Sequence, residues 1–407
     1  MPAVDFRKKF EKKELELNSL LEITRAINNN TDEDVLYRIY HFTLLGYLQK
    51  RKLALYVFEE KWSCKVYFNT EQSYKQQELD ERFTGIKEVK RCADFPLCKF
   101  TEFDYAIPVV YNGATKALVY LGGISDDNNG ASAEETIKFI QAVSNIFVVA
   151  IENKKLVRRQ IQQEALRKEL EIASDVQQFL FPTGLPNTER LKIEASYLPH
   201  DVVGGDYYDY IPINKNQFLV CVADVSGKGI PAALMMSNFQ ASLRTLVRQT
   251  PNLTEIVEAL NFQVLDNAKG EKFITAFLGI YDISLKTLVY INAGHNAPIL
   301  WDPKHGIRLL EDGTTVLGAV QPMPFINEGF ITELDNFLLF CYTDGLIETL
   351  SEAENEFGMD SLISYFEQNH SKDLKVIHQD IIVDLDTFKG RNAYRDDITM
   401  LSCRFKS

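Results

Sequence analysis

Apolar positions recur with two different periods along this chain, and the places where the period changes divide it into segments. Leu17, Leu20, Leu21, Thr24 and Ile27 fall on one side of a helix that should end at Asn28-Asn29-Asn30, and Thr31 is placed to cap a second helix running through Tyr47. Strand-like runs follow at 53–58, 62–68, 104–111 and 116–122. The last two are joined by Asn112-Gly113, a dipeptide suited to a tight hairpin turn. A helix is expected from 133 to about 156. Residues 152–181 contain almost no helix breaker and carry charges of both signs, so they read as an exposed continuation of that helix. Within it Leu166, Leu170, Ala173, Gln177 and Leu180 follow alternating spacings of four and three, the mark of a short heptad seam, so coiled-coil dimerisation is expected. Pro182, Gly184 and Pro186 then stop the helix.

Beyond this point strands dominate, at 191–197, 207–213, 217–225, 274–283, 287–293, 298–301, 337–343 and 398–405. Short connections such as Asn214-Lys215-Asn216 and Ser284-Leu285-Lys286 predict a largely antiparallel arrangement. Helices at 231–249, 253–269, 359–369 and 373–388 are left to cover the sheet faces. The expected fold class is α+β, with an N-terminal α/β domain at 1–155, a helical linker at 156–185 and a C-terminal β-sandwich flanked by helices at 186–407.

Composition narrows the function classes. A chain of 407 residues exceeds one ordinary core, and 45% hydrophobic with 25% charged residues is globular. The net charge of −13 argues against general nucleic-acid binding. The first residues are too polar for a secretory signal and the apolar runs too short to span a membrane, so a cytoplasmic protein without membrane insertion is expected. Cys221, Cys341 and Cys403 lie in apolar strand patterns and read as small buried hydrophobes, and Cys92 and Cys98 as two reduced thiols.

The candidate chemistry lies in four aspartates: Asp206 after Gly204-Gly205, Asp224 in Ala223-Asp224-Val225-Ser226-Gly227, Asp344 in Thr343-Asp344-Gly345, and Asp396 in Arg395-Asp396-Asp397. Singly, each suits a turn or a helix cap. Brought together, ionised carboxylates about 4 Å apart repel by roughly 4 kcal/mol per pair, and such a cluster stays ionised only with cations. An all-oxygen donor set favours Mg²⁺ or Mn²⁺ over zinc, and two-metal hydrolysis is the chemistry that follows. Ser226-Gly227-Lys228-Gly229 lacks the Ser or Thr that a Walker phosphate loop needs after its lysine, and reads as a tight turn into the helix opened by Pro231. His295, on a glycine-rich turn, reads as a loop histidine bonding to backbone, and Glu348 as a solvated or supporting residue.

Six collinear blocks carry a resemblance. They are the stretch Glu171 to Pro182, Gly204-Gly205-Asp206-Tyr207-Tyr208-Asp209, the stretch Ala223 to Leu234, Asn292-Ala293-Gly294-His295-Asn296-Ala297-Pro298, Tyr342-Thr343-Asp344-Gly345-Leu346-Ile347-Glu348, and Arg395-Asp396-Asp397-Ile398-Thr399. In order, they resemble the bacterial PP2C-like (PPM) serine phosphatases of the SpoIIE and RsbU type. The resemblance implies that Asp206, Asp224, Asp344 and Asp396, with the backbone carbonyl of Val225, hold two Mn²⁺ or Mg²⁺ ions, with Asp397 in a supporting place. It also implies hydrolysis of phosphoserine or phosphothreonine in a protein, the expected substrate being a phosphorylated anti-sigma-factor antagonist of a partner-switching pathway. The layout of residues 15–155, two helices, antiparallel strands and a closing helix, resembles a GAF domain. That likeness implies a sensory and dimerisation module, a homodimer, and an unidentified small-molecule or protein signal. The competing reading is a non-catalytic adaptor that binds its partner through a degenerate phosphatase fold.

Overall fold

The computed structural model describes residues 2–29, 31–95, 100–124 and 130–407. Asn30, and Cys98 with its neighbours Pro96 and Leu97, lie outside them. The chain divides into two compact units, residues 1–164 and 165–407.

The first unit begins with helices α1 (Pro2–Asn28) and α2 (Glu33–Leu48). Strands β1 (Lys52–Phe58), β2 (Trp62–Phe68), β3 (Lys90–Arg91), β4 (Tyr105–Tyr111) and β5 (Ala114–Gly122) form one antiparallel sheet in the order β2-β1-β5-β4-β3. The β4–β5 turn is the predicted Asn112-Gly113, both residues at positive φ (50° and 79°), as the hairpin requires. Alternation along β1 explains why both sheet faces are buried. Leu53, Leu55 and Val57 meet α1, α2 and helix α3 (Gly130–Gln178), while Ala54 and Tyr56 join an aromatic cluster with Trp62, Tyr74 and Phe83. α3 is one helix of 49 residues that crosses the division between the units.

The second unit holds two sheets. Strands β7 (Tyr207–Pro212), β8 (Gln217–Val225), β9 (Ile274–Asp282), β10 (Thr287–Ala293), β13 (Gly313–Thr314) and β14 (Gly329–Ile331) make the first, and β6 (Leu191–Leu198), β11 (Ile299–Asp302), β12 (Gly306–Leu309), β15 (Phe337–Tyr342) and β16 (Ile398–Phe405) the second. Their pairing is antiparallel except between β10 and β13. Helices α4 (Ile230–Gln249) and α5 (Leu253–Ala268) cover the outer face of the first sheet. The short α6 (Asp344–Ile347) follows β15, and α7 (Gly358–Asn369) and α8 (Leu374–Lys389) cover the second.

Each central strand is apolar on both sides because it lies between two layers. In β8, Phe218, Val220 and Val222 point between the sheets while Leu219, Cys221 and Ala223 point at α4 and α5. In β15, Leu339 and Cys341 face the inter-sheet core while Leu338 and Phe340 face α7 and α8. This accounts for unbroken apolar runs where one-sided sheets would alternate. Cys221, Cys341 and Cys403 are buried and unbridged, as their strand context predicts. Among the described residues no helix is long and apolar enough to cross a membrane.

The structure has more strand than the periodicity predicts: β3, β12, β13 and β14 are two to four residues long, too short to show a period. Two buried polar devices fasten helices to sheets. Asp209, fully buried on β7, accepts from Arg244 Nε (2.7 Å) and its terminal nitrogen (2.9 Å), holding α4 beside the β7 entrance. His378 on α8 bonds through Nδ1 to Ser196 on β6 and through Nε2 to Ser402 on β16, both at 2.8 Å. Burial lowers its pKa to about 4, so it is neutral in the fold.

Candidate active site

The four aspartates arrive in two pairs, one from each sheet, at a common end of the second unit. β7 and β8 are antiparallel neighbours in which Tyr207 faces Ala223, so continuing that register by one step sets Asp206 opposite Asp224. On the other sheet, β15 ends at Tyr342 paired with Met400, and Thr343 N–H donates to the Thr399 carbonyl (3.1 Å). The same step brings Asp344, the first residue of α6, beside the Asp396-Asp397 entrance to β16. Widely separated carboxylates therefore meet because strand ends coincide, not through any local motif.

Two threonines tie the pairs together. Thr343 Oγ1 (2.8 Å) and Thr399 Oγ1 (2.5 Å) both donate to Asp206 Oδ2, and Thr399 N–H donates to Thr343 Oγ1 (2.9 Å). Asp206 is thus 2% exposed yet oriented by the opposite sheet. Neither threonine stood out in the sequence as a site residue. The signal available was the hydroxyl adjoining the aspartate in Thr343-Asp344-Gly345 and Asp397-Ile398-Thr399.

Asp397 differs from its neighbour. Its carboxylate accepts from His200 N–H (2.7 Å) and Gly205 N–H (2.9 Å), pinning the Gly204-Gly205 turn that presents Asp206. A Cβ on Gly205 would lie 2.9 Å from the Val225 carbonyl oxygen, and one on Gly345 would collide with the Asp397 carbonyl. The glycines flanking the aspartates are therefore needed for close backbone approach. From the end of α3, Gln177 clamps the same turn, its side-chain nitrogen donating to the Gly204 carbonyl (2.8 Å) and its oxygen accepting from Gly204 N–H (3.3 Å). Gln177 is buried by this contact, whereas Leu166 and Ala173 of the predicted heptad seam are exposed. One seam position is thus already occupied within the chain. Gln177→Ala should destabilise the second unit by about 1–2 kcal/mol, measurable by denaturant unfolding, since it leaves both Gly204 groups unpaired.

The electrostatics are those of a site short of positive charge. Burial and then the Asp224 charge raise Asp206 well above the usual carboxylate range. Burial, then Asp344 and Asp396, push Asp224 up to about 7. Burial and then Asp396 raise Asp344. Lys228 Nζ pairs with Asp396 Oδ2 at 2.9 Å. Among the described residues, no three Asp, Glu, His or Cys side chains converge on a single point as one metal cage. Four carboxylates would supply about two per ion, the number expected where small hard cations keep most of their waters.

His295 is buried nearby, its N–H donating to Asn292 Oδ1 (2.7 Å) and its ring bonded to the Thr275 hydroxyl (2.9 Å). Burial lowers it to about 4, so it is neutral. Thr275 faces Asp224 across β8 and β9, and His295 thereby buttresses the strand behind the cluster. Its ring bonds to the Thr275 side chain and also meets the Tyr342 backbone, the kind of partner the sequence pointed to. Glu348, at the end of α6, is exposed.

Comparison with known proteins bears on the fold of this unit. Residues 214–406 match the family model described as stage II sporulation protein E (SpoIIE). The chain is 34% identical over 196 residues to the phosphoserine phosphatase RsbU of Bacillus subtilis, covering 48% of this chain and 57% of that one. It is 28% identical over 281 residues to protein IcfG of Synechocystis, covering 61% and 43% respectively. The chain thus spans about half the length of the curated relatives it matches. The SiaA-PP2C domain of Pseudomonas aeruginosa superimposes with a TM-score of 0.52 at 22% identity, over 60% of this chain and 99% of that domain, and so shares the fold. The C-terminal unit accordingly has the PP2C fold, and residues 214–406 are similar to the SpoIIE family.

Proposed function

We propose that this chain is a metal-dependent protein serine/threonine phosphatase that releases phosphate from a phosphoserine or phosphothreonine protein. The acidic cluster carries the reading, because burial and the charges of neighbouring carboxylates raise Asp206, Asp224 and Asp344 above the ordinary carboxylate range, an arrangement poor for structure alone and good for cations. Asp206, Asp224, Asp344 and Asp396, with the Val225 carbonyl, are the proposed ligands of two Mn²⁺ or Mg²⁺ ions, a fit supported by their all-oxygen character. When bound, such ions lower the pKa of water toward neutrality and offset negative charge on phosphoryl oxygens. The chain's own part is orientation. Thr343 and Thr399 direct Asp206, Asp397 and Gln177 hold its turn, and Gly205 lets the Val225 carbonyl approach. Buried Cys221, Cys341 and Cys403 offer no thiolate to a substrate, consistent with direct hydrolysis.

The substrate class follows from the likeness to a phosphoserine phosphatase, and a phosphorylated anti-sigma-factor antagonist is the proposed partner. The first unit is proposed as a GAF-like sensor, in a homodimer, whose signal reaches the site through α3 and Gln177. The full chain with Mn²⁺ should release inorganic phosphate from a phosphoserine protein, and chelation with EDTA should abolish release reversibly. Absence of release, with the partner still bound in metal-free buffer, would favour the adaptor reading instead.

A further inference from the structure

Lys228 stands where a cation is wanted. Its ammonium lies 2.9 Å from Asp396 Oδ2 and also donates to the Arg395 carbonyl, and its charge acts against the raised pKa values of Asp344 and Glu348. Among the described residues it is the basic side chain that ion-pairs with one of the four carboxylates.

The backbone beneath it is built in two parts. Ser226 is fastened: its N–H donates to the Phe273 carbonyl, its hydroxyl accepts from Phe273 N–H (both 2.9 Å), and its carbonyl accepts from Lys272 Nζ (2.8 Å). Lys228 follows between Gly227 (φ 85°) and Gly229 (φ 71°), two residues free to take conformations closed to other side chains. The lysine is 43% exposed, and its visible bonds are the two polar contacts to Arg395 and Asp396. A fixed root, a two-glycine pivot and an exposed four-carbon stem let the ammonium leave Asp396 without disturbing β8 or α4.

We propose that Lys228 is an exchangeable counter-cation: it neutralises Asp396 while the cleft lacks metal, yields that carboxylate to the incoming ion, and then donates to the phosphoryl oxygens of the substrate. The proposal rests on the metal-dependent phosphatase reading. Asp396 Oδ1 already accepts from Asp397 N–H (2.9 Å), so an ion that takes Oδ2 competes with the ammonium for that oxygen and, with its double charge, displaces it. The displaced group has three donors, and a phosphate monoester at the cleft offers acceptors of the right charge.

The test is calorimetric titration of Mn²⁺ into the metal-free full-length chain as wild type, Lys228→Met and Lys228→Arg, with unfolding curves and steady-state kinetics on a phosphoserine peptide. The methionine variant should bind Mn²⁺ about fivefold more tightly, as expected for removing a competing half-exposed ion pair. It should melt below wild type without metal but level with it when Mn²⁺ is saturating, a difference that a purely structural lysine would not show. Its KM should rise about tenfold with little change in kcat. Lys228→Arg should restore KM. Unchanged or weaker Mn²⁺ binding in the methionine variant, or an unchanged KM, overturns the proposal. Failure of the wild type to bind Mn²⁺ overturns the metal-dependent reading itself.

Discussion

Asp224→Asn should reduce phosphate release by about a thousandfold or more while making the metal-free protein more stable, a pairing of effects that few substitutions produce. Asp224 lies at the centre of the cluster, opposite Asp206 in register and influenced by Asp344 and Asp396. Removing its charge would take one of the four proposed carboxylate ligands from the metal site. The same change relieves repulsion and burial that push its pKa up to about 7. Near pH 8, where wild-type Asp224 is ionised, the amide should gain about 2 kcal/mol of stability in urea unfolding with EDTA present. Loss of activity with a lower unfolding midpoint would mean that Asp224 supports the fold rather than the metal. Near-normal turnover would contradict its assignment as a ligand.

The second large effect is a reversal of pH dependence on metal removal. Asp224 is raised from the ordinary carboxylate range near 4 to about 7 in the fold. Its contribution is therefore fully present below about pH 4 and is lost as pH rises toward and through 7, by up to about 4 kcal/mol over that interval. Asp206 and Asp344, also raised, act in the same direction. His378 acts oppositely. Its folded pKa of about 4 lies below the ordinary value near 6.5, so stability is complete above 6.5 and is lost as pH falls toward 4, by roughly 3 kcal/mol. Metal-free protein should thus be most stable in mildly acidic solution and weaken toward pH 8. With saturating Mn²⁺ the alkaline loss should vanish, because the ions supply the charge that the carboxylates lack, and protons should be released on binding. Thermal melts from pH 5 to 8 with EDTA or Mn²⁺ measure this directly. An alkaline loss that persists with Mn²⁺ would show that the cluster does not take up the metal.

Much of the architecture was legible in the order of residues because the physics there is local. The runs at 53–58, 62–68 and 217–225 become β1, β2 and β8, since apolar β-branched and aromatic stretches bounded by turns have few alternatives. Asn112-Gly113 makes its hairpin, and Pro231 enters α4 in its first turn, after Gly229. The unbroken helical pattern through 152–181 emerges as the later part of α3. Short pieces such as β13 and β14 were invisible, because they are strands only by virtue of pairing with β10.

The four aspartates follow the same division. Sequence identified them as unusual, each beside a glycine or at the end of an apolar strand, and the electrostatic argument needed only that they meet. Only the tertiary structure decided that they meet in pairs from two sheets, that Thr343 and Thr399 bridge those pairs through Asp206, and that Asp397 holds the Gly204-Gly205 turn while Asp396 faces Lys228. Gln177 is the plainest case. Spacing placed it in an interhelical seam, but packing gave it Gly204, because a buried amide must satisfy its donor and acceptor wherever partners lie. Residue type and spacing determine which chemistry a chain can carry. Which carboxylate faces which partner depends on the register of strands far apart in sequence, and that register is settled only when both sheets close on a shared core.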